Sequence, residues 1–226
     1  MEATTGIETA RRYAQRTVVD PRYPITTYTL DVLWVLYDRV LNLTPDTIDA
    51  PDRDRFLLSK GHGPSAYYAV LAAKGFIRPD LLDTVADADS PLGAHPDGTR
   101  VPAVEISAGS LGHGLPLAVG TALGLRAQGF TGSRVYVLIG DAEFDEGSNH
   151  EALAFAGAIG LPNLTVVVAD NGSASHGWPG GIDRRFAAHG WTTAIAAMTD
   201  HDGLCTALTG HNGSGPHVAI ATTTKG

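Results

Sequence analysis

Asp141 and Asn171 each follow a run of apolar, largely β-branched residues, RVYVLIG at 134–140 and LTVVVAD at 164–170, with one helix-length stretch between the runs. Runs of this kind form strands of a parallel sheet buried on both faces, and ligands of open parallel sheets gather beyond the carboxyl ends of the strands. A carboxylate and an amide oxygen brought together there are hard donors suited to Mg2+ or Ca2+. Mg2+ held by so few protein atoms completes its shell with phosphate oxygens and water. The pair therefore points to a metal–diphosphate clamp. Taken alone, the same residues fit a blander account, in which Asp141 caps the following helix and Asn171 occupies a turn.

The elements that must position this pair are legible from periodicity. Residues 28–43 carry Leu30, Leu33, Trp34, Tyr37, Val40 and Leu41 at helical spacing, and the Pro/Asp cluster at 45–54 ends that helix. FLLS (56–59) reads as a short strand, 61–64 as a turn and 65–74 as a small-residue helix stopped by Gly75. Residues 88–108 read as loop and a short strand. The segment 109–114 then opens a helix running to Gln128, apolar almost all round, with Gly120 and Gly124 on one face, which predicts a buried helix with close backbone contacts. An Ala-rich helix at 148–160, helix 183–189, strand 191–196, helix 202–209 and strand 217–223 continue the alternation. The expectation is an α/β fold, a doubly wound and mostly parallel sheet with helices on both faces. With no internal repeat and no visible boundary, residues 1–226 read as a single domain.

Composition narrows the partners. The 226 residues are 43% apolar and 18% charged, as in an ordered globular chain. The 24 acidic residues exceed the 16 basic ones for a net charge of -8, which argues against a nucleic-acid partner. No apolar run reaches membrane-spanning length and no basic leader precedes an apolar stretch, so the expected location is cytoplasmic, with no membrane partner. A single cysteine, Cys205, rules out an internal disulfide and fits a reducing compartment, where it reads as a small buried hydrophobe.

The wider pattern around the clamp is more specific. GDAEFDEG contains Asp141 and ADNGSASHG contains Asn171, and together they resemble the thiamine diphosphate signature that opens with GDG and closes on an Asn. DRFLLSKGH (54–62), GAHPD (93–97) and GSLGHG (109–114) resemble, in the same order, the DRF-LS-GH, GHP and G-LGQG segments of the transketolase family. The resemblance spans roughly residues 30–225. It implies a thiamine-diphosphate-binding fold in which Asp141 and Asn171 hold the metal by side chain and Ser173 by its backbone carbonyl. It further implies that His62 donates to the diphosphate and serves catalysis. Gly109, Leu111 and Gly112 lie along the cofactor, the glycines permitting close backbone approach, and Gly140, Ala142 and Glu143 border the diphosphate in the GDG-like turn. His95 would face the substrate channel, and Glu146 and Glu151 would link paired active sites across a dimer.

The activity so implied is that of a transferase moving a two-carbon ketol unit from a ketose to an aldehyde. In the family, the glutamate that activates the cofactor's aminopyrimidine comes from a following pyrimidine-binding domain, which does not fit into 226 residues. The expectation is therefore a split enzyme with this chain as the N-terminal subunit; its partner would be a C-terminal transketolase-like subunit. Three features depart from the family. VVDPRYPITTYTL (18–30) replaces a GHPG segment, Ala142 replaces the second Gly of GDG, and TTTKG (222–226) ends the chain before a loop that carries another substrate His. They keep open a different donor in a specialised biosynthetic pathway, and a non-catalytic cofactor-binding subunit.

Overall fold

The computed structural model describes residues 6–17, 27–61 and 63–223, so His62 and residues 18–26 of the segment replacing GHPG lie outside the described residues. Five parallel strands, β1 (Arg55–Leu58), β2 (Val135–Gly140), β3 (Leu164–Asp170), β4 (Thr192–Ala197) and β5 (His217–Thr222), form one sheet in the order β1-β2-β3-β5-β4. The order reverses along the chain, as in a doubly wound fold. Successive strand residues point to opposite faces. Phe56, Leu58, Tyr136, Leu138, Val167 and Ala169 join one apolar cluster, whereas Leu57, Val137, Ile139, Val166 and Val168 join the other. The first cluster is closed by α1 (Ile7–Ala14), α2 (Thr27–Val35), α3 (Pro64–Ala73) and α7 (His201–Thr209). The second is closed by α4 (Gly114–Ala127), α5 (Gly147–Ala158) and α6 (Ile182–Ala187). Each fully buried Leu, Ile or Phe in these layers contributes roughly 1.5–3 kcal/mol, which is why the strands are apolar on both sides.

Several local expectations change. Residues 88–108 contain no strand: their backbone groups are used in turns, with Ala86 donating to Leu92, Val104 to Val101 and Ala108 to Pro96. Val101, Ala103 and Val104 are still buried, so burial against the helices rather than sheet pairing explains their apolar character. The 28–43 helix is α-helical to Val35 and then widens into a π turn at Leu36–Val40, with Leu41 N–H donating to Leu36 O at 2.8 Å. Helix α1, an element not assigned from the sequence, is amphipathic and packs through Ala10 and Ala14, with Ile7 and Tyr13 beside them. Helix α4 is not buried all round. A Cβ added at Gly120 or Gly124 would meet nothing within 4 Å, and Leu117 and Leu123 are exposed, because no element of the described residues covers that side. Cys205 is half-buried at the edge of the first cluster.

Candidate functional site

β1, β2 and β3 deliver their last residues to one end of the sheet. Gly140 pairs with Ala169, so Asp141 and the Asp170–Asn171 pair leave adjacent strands side by side. Asp141 is buried, and its carboxylate accepts the Ser173 N–H at 2.5 Å, the Ser173 hydroxyl at 2.8 Å and the Ala174 N–H at 3.0 Å. The loop after β3 thus folds back onto the end of β2, supported by Ser175 N–H donating to Asp145 at 2.9 Å. Asp170 Oδ1 accepts from Gly172 N–H, and Gly172 adopts a φ of 73°, the left-handed turn that lets the chain reverse.

The β1 end enters the same cluster. Ser59 and Lys60 both donate their backbone N–H to Leu138 O, continuing the β1–β2 ladder beyond the strand. The Lys60 side chain is buried, and burial lowers its pKa against the opposing pull of Asp141 and Glu143. A Cβ at Gly140 would lie 3.1 Å from Lys60 Nζ, so the glycine gives the ammonium its room. Glu143 is 2% exposed. Burial raises its pKa, while hydrogen bonds from Ser59, Gly112 and Gly140 and the charge of Lys60 pull it down.

The 109–114 segment lies across this cluster. The Gly112 N–H donates to Glu143 Oε1 at 2.9 Å and its carbonyl accepts from Ser148 Oγ at 2.8 Å. A Cβ at Gly112 would fall 2.5 Å from Ser148 Oγ, and one at Gly114 would fall 2.1 Å from Ser59 Cβ. In the protein alone, the absent Cβ at these two positions accommodates neighbouring side chains. Gly109, at φ 131°, has the His95 ring 3.4 Å from the position of its missing Cβ, which brings GAHPD onto this segment. Leu111 is 47% exposed and lies 3.4 Å from the Cβ position of Gly61. Glu146 and Glu151 project outward from the start of α5. Asp141, Ser173, Gly140, Glu143, Gly112, Gly109 and His95 are thus brought to one end of the sheet, with Asn171 leaving the adjacent strand. His62 falls outside the described residues.

Sequence reasoning missed Ser59 and Lys60 as members of the cluster. The signal was present: a polar pair directly after a buried strand, at the end where ligands gather. Among the described residues no three His, Cys, Asp or Glu side chains cluster in a way that could hold a metal. The expected set is of another kind, one carboxylate, one amide oxygen and one carbonyl, all hard oxygen donors. A carboxylate offers about four lone-pair positions, and Asp141 uses three on residues 173 and 174. The donor chemistry therefore fits a divalent cation.

Comparison with known proteins follows the same lines. A family model described as "Transketolase, thiamine diphosphate binding domain" matches residues 21–218. "Ferredoxin fas2" of Rhodococcoides fascians is 61% identical over 197 residues, covering 87% of this chain and 65% of that protein. An apulose-4-phosphate transketolase subunit of Actinobacillus succinogenes is 39% identical over 204 residues, covering 87% of this chain and 74% of that protein. A solved transketolase from Pichia stipitis, in complex with sedoheptulose 7-phosphate, superposes with a TM-score of 0.84 at 26% identity, covering 96% of this chain and 35% of that one.

Proposed function

Because the chain belongs to the family of transketolase thiamine diphosphate binding domains, we propose that it is the diphosphate-anchoring N-terminal subunit of a two-component transketolase-like enzyme. It would transfer a two-carbon ketol unit from a ketose to an aldehyde, as one domain in the cytoplasm. The observation that carries this reading is the meeting of the ends of β1, β2 and β3 with the 109–114 segment around Asp141 and Glu143. The match to a protein named as one subunit of a transketolase supports the two-component arrangement.

In this reading Asp141 and Asn171 hold Mg2+, or Ca2+, by side chain and Ser173 by its carbonyl. Gly109, Leu111, Gly112, Gly140, Ala142 and Glu143 border the cofactor, and His62 donates to the diphosphate. His95 steers a hydroxyl or carbonyl of the sugar, and Glu146 and Glu151 contact a neighbouring subunit. Thiamine diphosphate, when bound, supplies the carbon nucleophile and the electron sink for C–C cleavage. What the residues of this chain contribute is anchoring and orientation. The glutamate that activates the aminopyrimidine would come from the partner, a C-terminal transketolase-like chain with a pyrimidine-binding domain.

A second reading, a donor outside ordinary sugar-phosphate metabolism, is favoured by VVDPRYPITTYTL, which lacks the His of GHPG. The name of the Actinobacillus relative points the same way. The name of the Rhodococcoides relative does not carry over to these 226 residues, because a ferredoxin cluster is held by four cysteine thiolates and the chain has one cysteine. Mixing experiments across a panel of ketoses test both readings. The chain alone should show no cofactor-dependent C–C cleavage, and the added partner should restore it, with xylulose 5-phosphate not the best donor. Full turnover by the chain alone would refute the split-enzyme reading, and ordinary transketolase efficiency on xylulose 5-phosphate would refute the altered-donor one.

A further inference from the structure

Three segments that read as separate motifs in the sequence are joined through one carboxylate. Glu143 Oε1 accepts from the Gly112 N–H at 2.9 Å and from the Ser59 hydroxyl, and Oε2 accepts from the Gly140 N–H at 3.2 Å. Ser59 Oγ in turn accepts from the Gly114 N–H at 3.0 Å. The carbonyl of Glu143 is held by Asn149 Nδ2 at 2.7 Å, which ties the turn to α5. Ser59 follows β1, Gly112 and Gly114 belong to the segment that opens α4, and Gly140 ends β2. Close packing adds to these bonds. A Cβ at Gly112 would lie 2.7 Å from Glu146 Cβ, and one at Gly114 3.1 Å from Ser59 Cα, so the segments cannot slide past one another. Both oxygens of Glu143 are turned to protein donors, and the side chain is buried.

We propose that Glu143 is a positioning residue for the diphosphate of thiamine diphosphate. It holds the β1 end, the 109–114 segment and the β2 end in one arrangement, without its carboxylate touching the cofactor. The inference rests on the thiamine diphosphate reading above. A carboxylate is needed because all three neighbours donate. Glutamine has the same shape, but its amide nitrogen cannot accept, so in either orientation at least one donor faces an N–H. The glycine amides at 112 and 140 then lose their fixed direction, and the cofactor meets a looser site.

The test uses the full chain together with its partner subunit, with thiamine diphosphate and Mg2+ as probes followed by calorimetry, and urea unfolding and amide NMR on the chain alone. Glu143→Gln should fold and shift the Gly140 or Gly112 amide resonance. It should bind thiamine diphosphate about tenfold to a hundredfold more weakly, the range expected for a lost hydrogen bond to a charged acceptor. Its dependence on Mg2+ concentration should remain, because Asp141 is intact. Ser59→Ala removes two links, the bond to Glu143 and the one from the Gly114 N–H, and should weaken binding at least about threefold; it decides the matter if Glu143→Gln does not fold. A purely architectural role predicts a lower unfolding free energy with unchanged affinity of the folded protein. Affinity within twofold of the wild type in the folded variant overturns the proposal. Failure of the wild-type chain to bind thiamine diphosphate with Mg2+ in the presence of its partner refutes instead the cofactor reading on which it rests.

Discussion

Replacing Asp141 separates its two roles, closing the loop after β3 and providing a charged ligand for a metal. In the protein alone its carboxylate accepts two N–H groups and one hydroxyl from residues 173 and 174. Hydrogen bonds to a charged group contribute roughly 1.5–3 kcal/mol where the partners stay dry. Ser173 is exposed, so water replaces part of what is lost, and about 1 kcal/mol for each bond is a reasonable figure. Asp141→Ala should then destabilise the ligand-free chain by about 3 kcal/mol, a fall in Tm of about 6–12 °C for a chain of this size. Asp141→Asn keeps one acceptor oxygen and should lose about half as much. The ligand separates the two roles further. At a hundredfold excess over Kd, thiamine diphosphate with Mg2+ should stabilise the wild type by about 2.7 kcal/mol, an increase in Tm of about 5–10 °C. Both variants should show no such increase, because neither offers the metal a charged oxygen. Thermal melts of the chain alone give the intrinsic loss, and melts with its partner, with and without thiamine diphosphate and Mg2+ and supported by calorimetry, give the ligand-induced increase. An Asp141→Asn variant that gains the full ligand-induced increase would refute the metal assignment, whatever its intrinsic stability.

Two further outcomes follow from packing and burial. Gly157→Ala would place a Cβ 1.9 Å from the His189 carbonyl oxygen, and Gly114→Ala would place one 2.1 Å from Ser59 Cβ. Each should cost about 1–3 kcal/mol or more, beyond the roughly 1 kcal/mol that alanine returns in helix propensity. Gly120→Ala meets nothing within 4 Å and should stabilise the isolated chain by up to about 1 kcal/mol. Urea unfolding of the three variants checks the set, and a destabilised Gly120→Ala would contradict the open face of α4. His217 is buried, with Nε2 donating to Ala207 O at 2.7 Å and Nδ1 2.8 Å from Thr192 Oγ1, and burial lowers its pKa. A lowered folded pKa means that its contribution is present above the unfolded value, about 6.5. That contribution is lost as pH falls through the folded value, with a slope of at most about 1.4 kcal/mol per pH unit. Unfolding free energies between pH 7.5 and 5 should fall more steeply for the wild type than for His217→Gln, and equal slopes would refute this account.

The five strands of the sheet were legible in the sequence to within about a residue at each end, although the short strand expected within 88–108 does not form. Five apolar segments separated by helix-length stretches point to a parallel sheet covered on both faces, which buries both sides of β2, β3 and β5; edge strand β4 keeps Thr193 and Ile195 exposed. The positions of Asp141 and Asn171 at the strand ends follow from the same periodicity. Turns and small-residue helices were less legible. Helix α1 carries Ile7, Ala10, Tyr13 and Ala14 at helical spacing and went unassigned although that signal was present, and the apolar residues at 101–104 are buried without joining the sheet. A one-dimensional pattern records that a residue avoids water, not which neighbour excludes it. For that reason only the tertiary structure decided what the site glycines accommodate. Gly112 and Gly114 make room for Ser148, Glu146 and Ser59, residues distant in sequence, and Glu143 turns inward to bind three chain segments. The outer sides of α4 and α5, where Phe155 is 50% and Ile159 41% exposed, were likewise decided in three dimensions. Their apolar residues look like core in the sequence, whereas the described residues supply nothing to cover them.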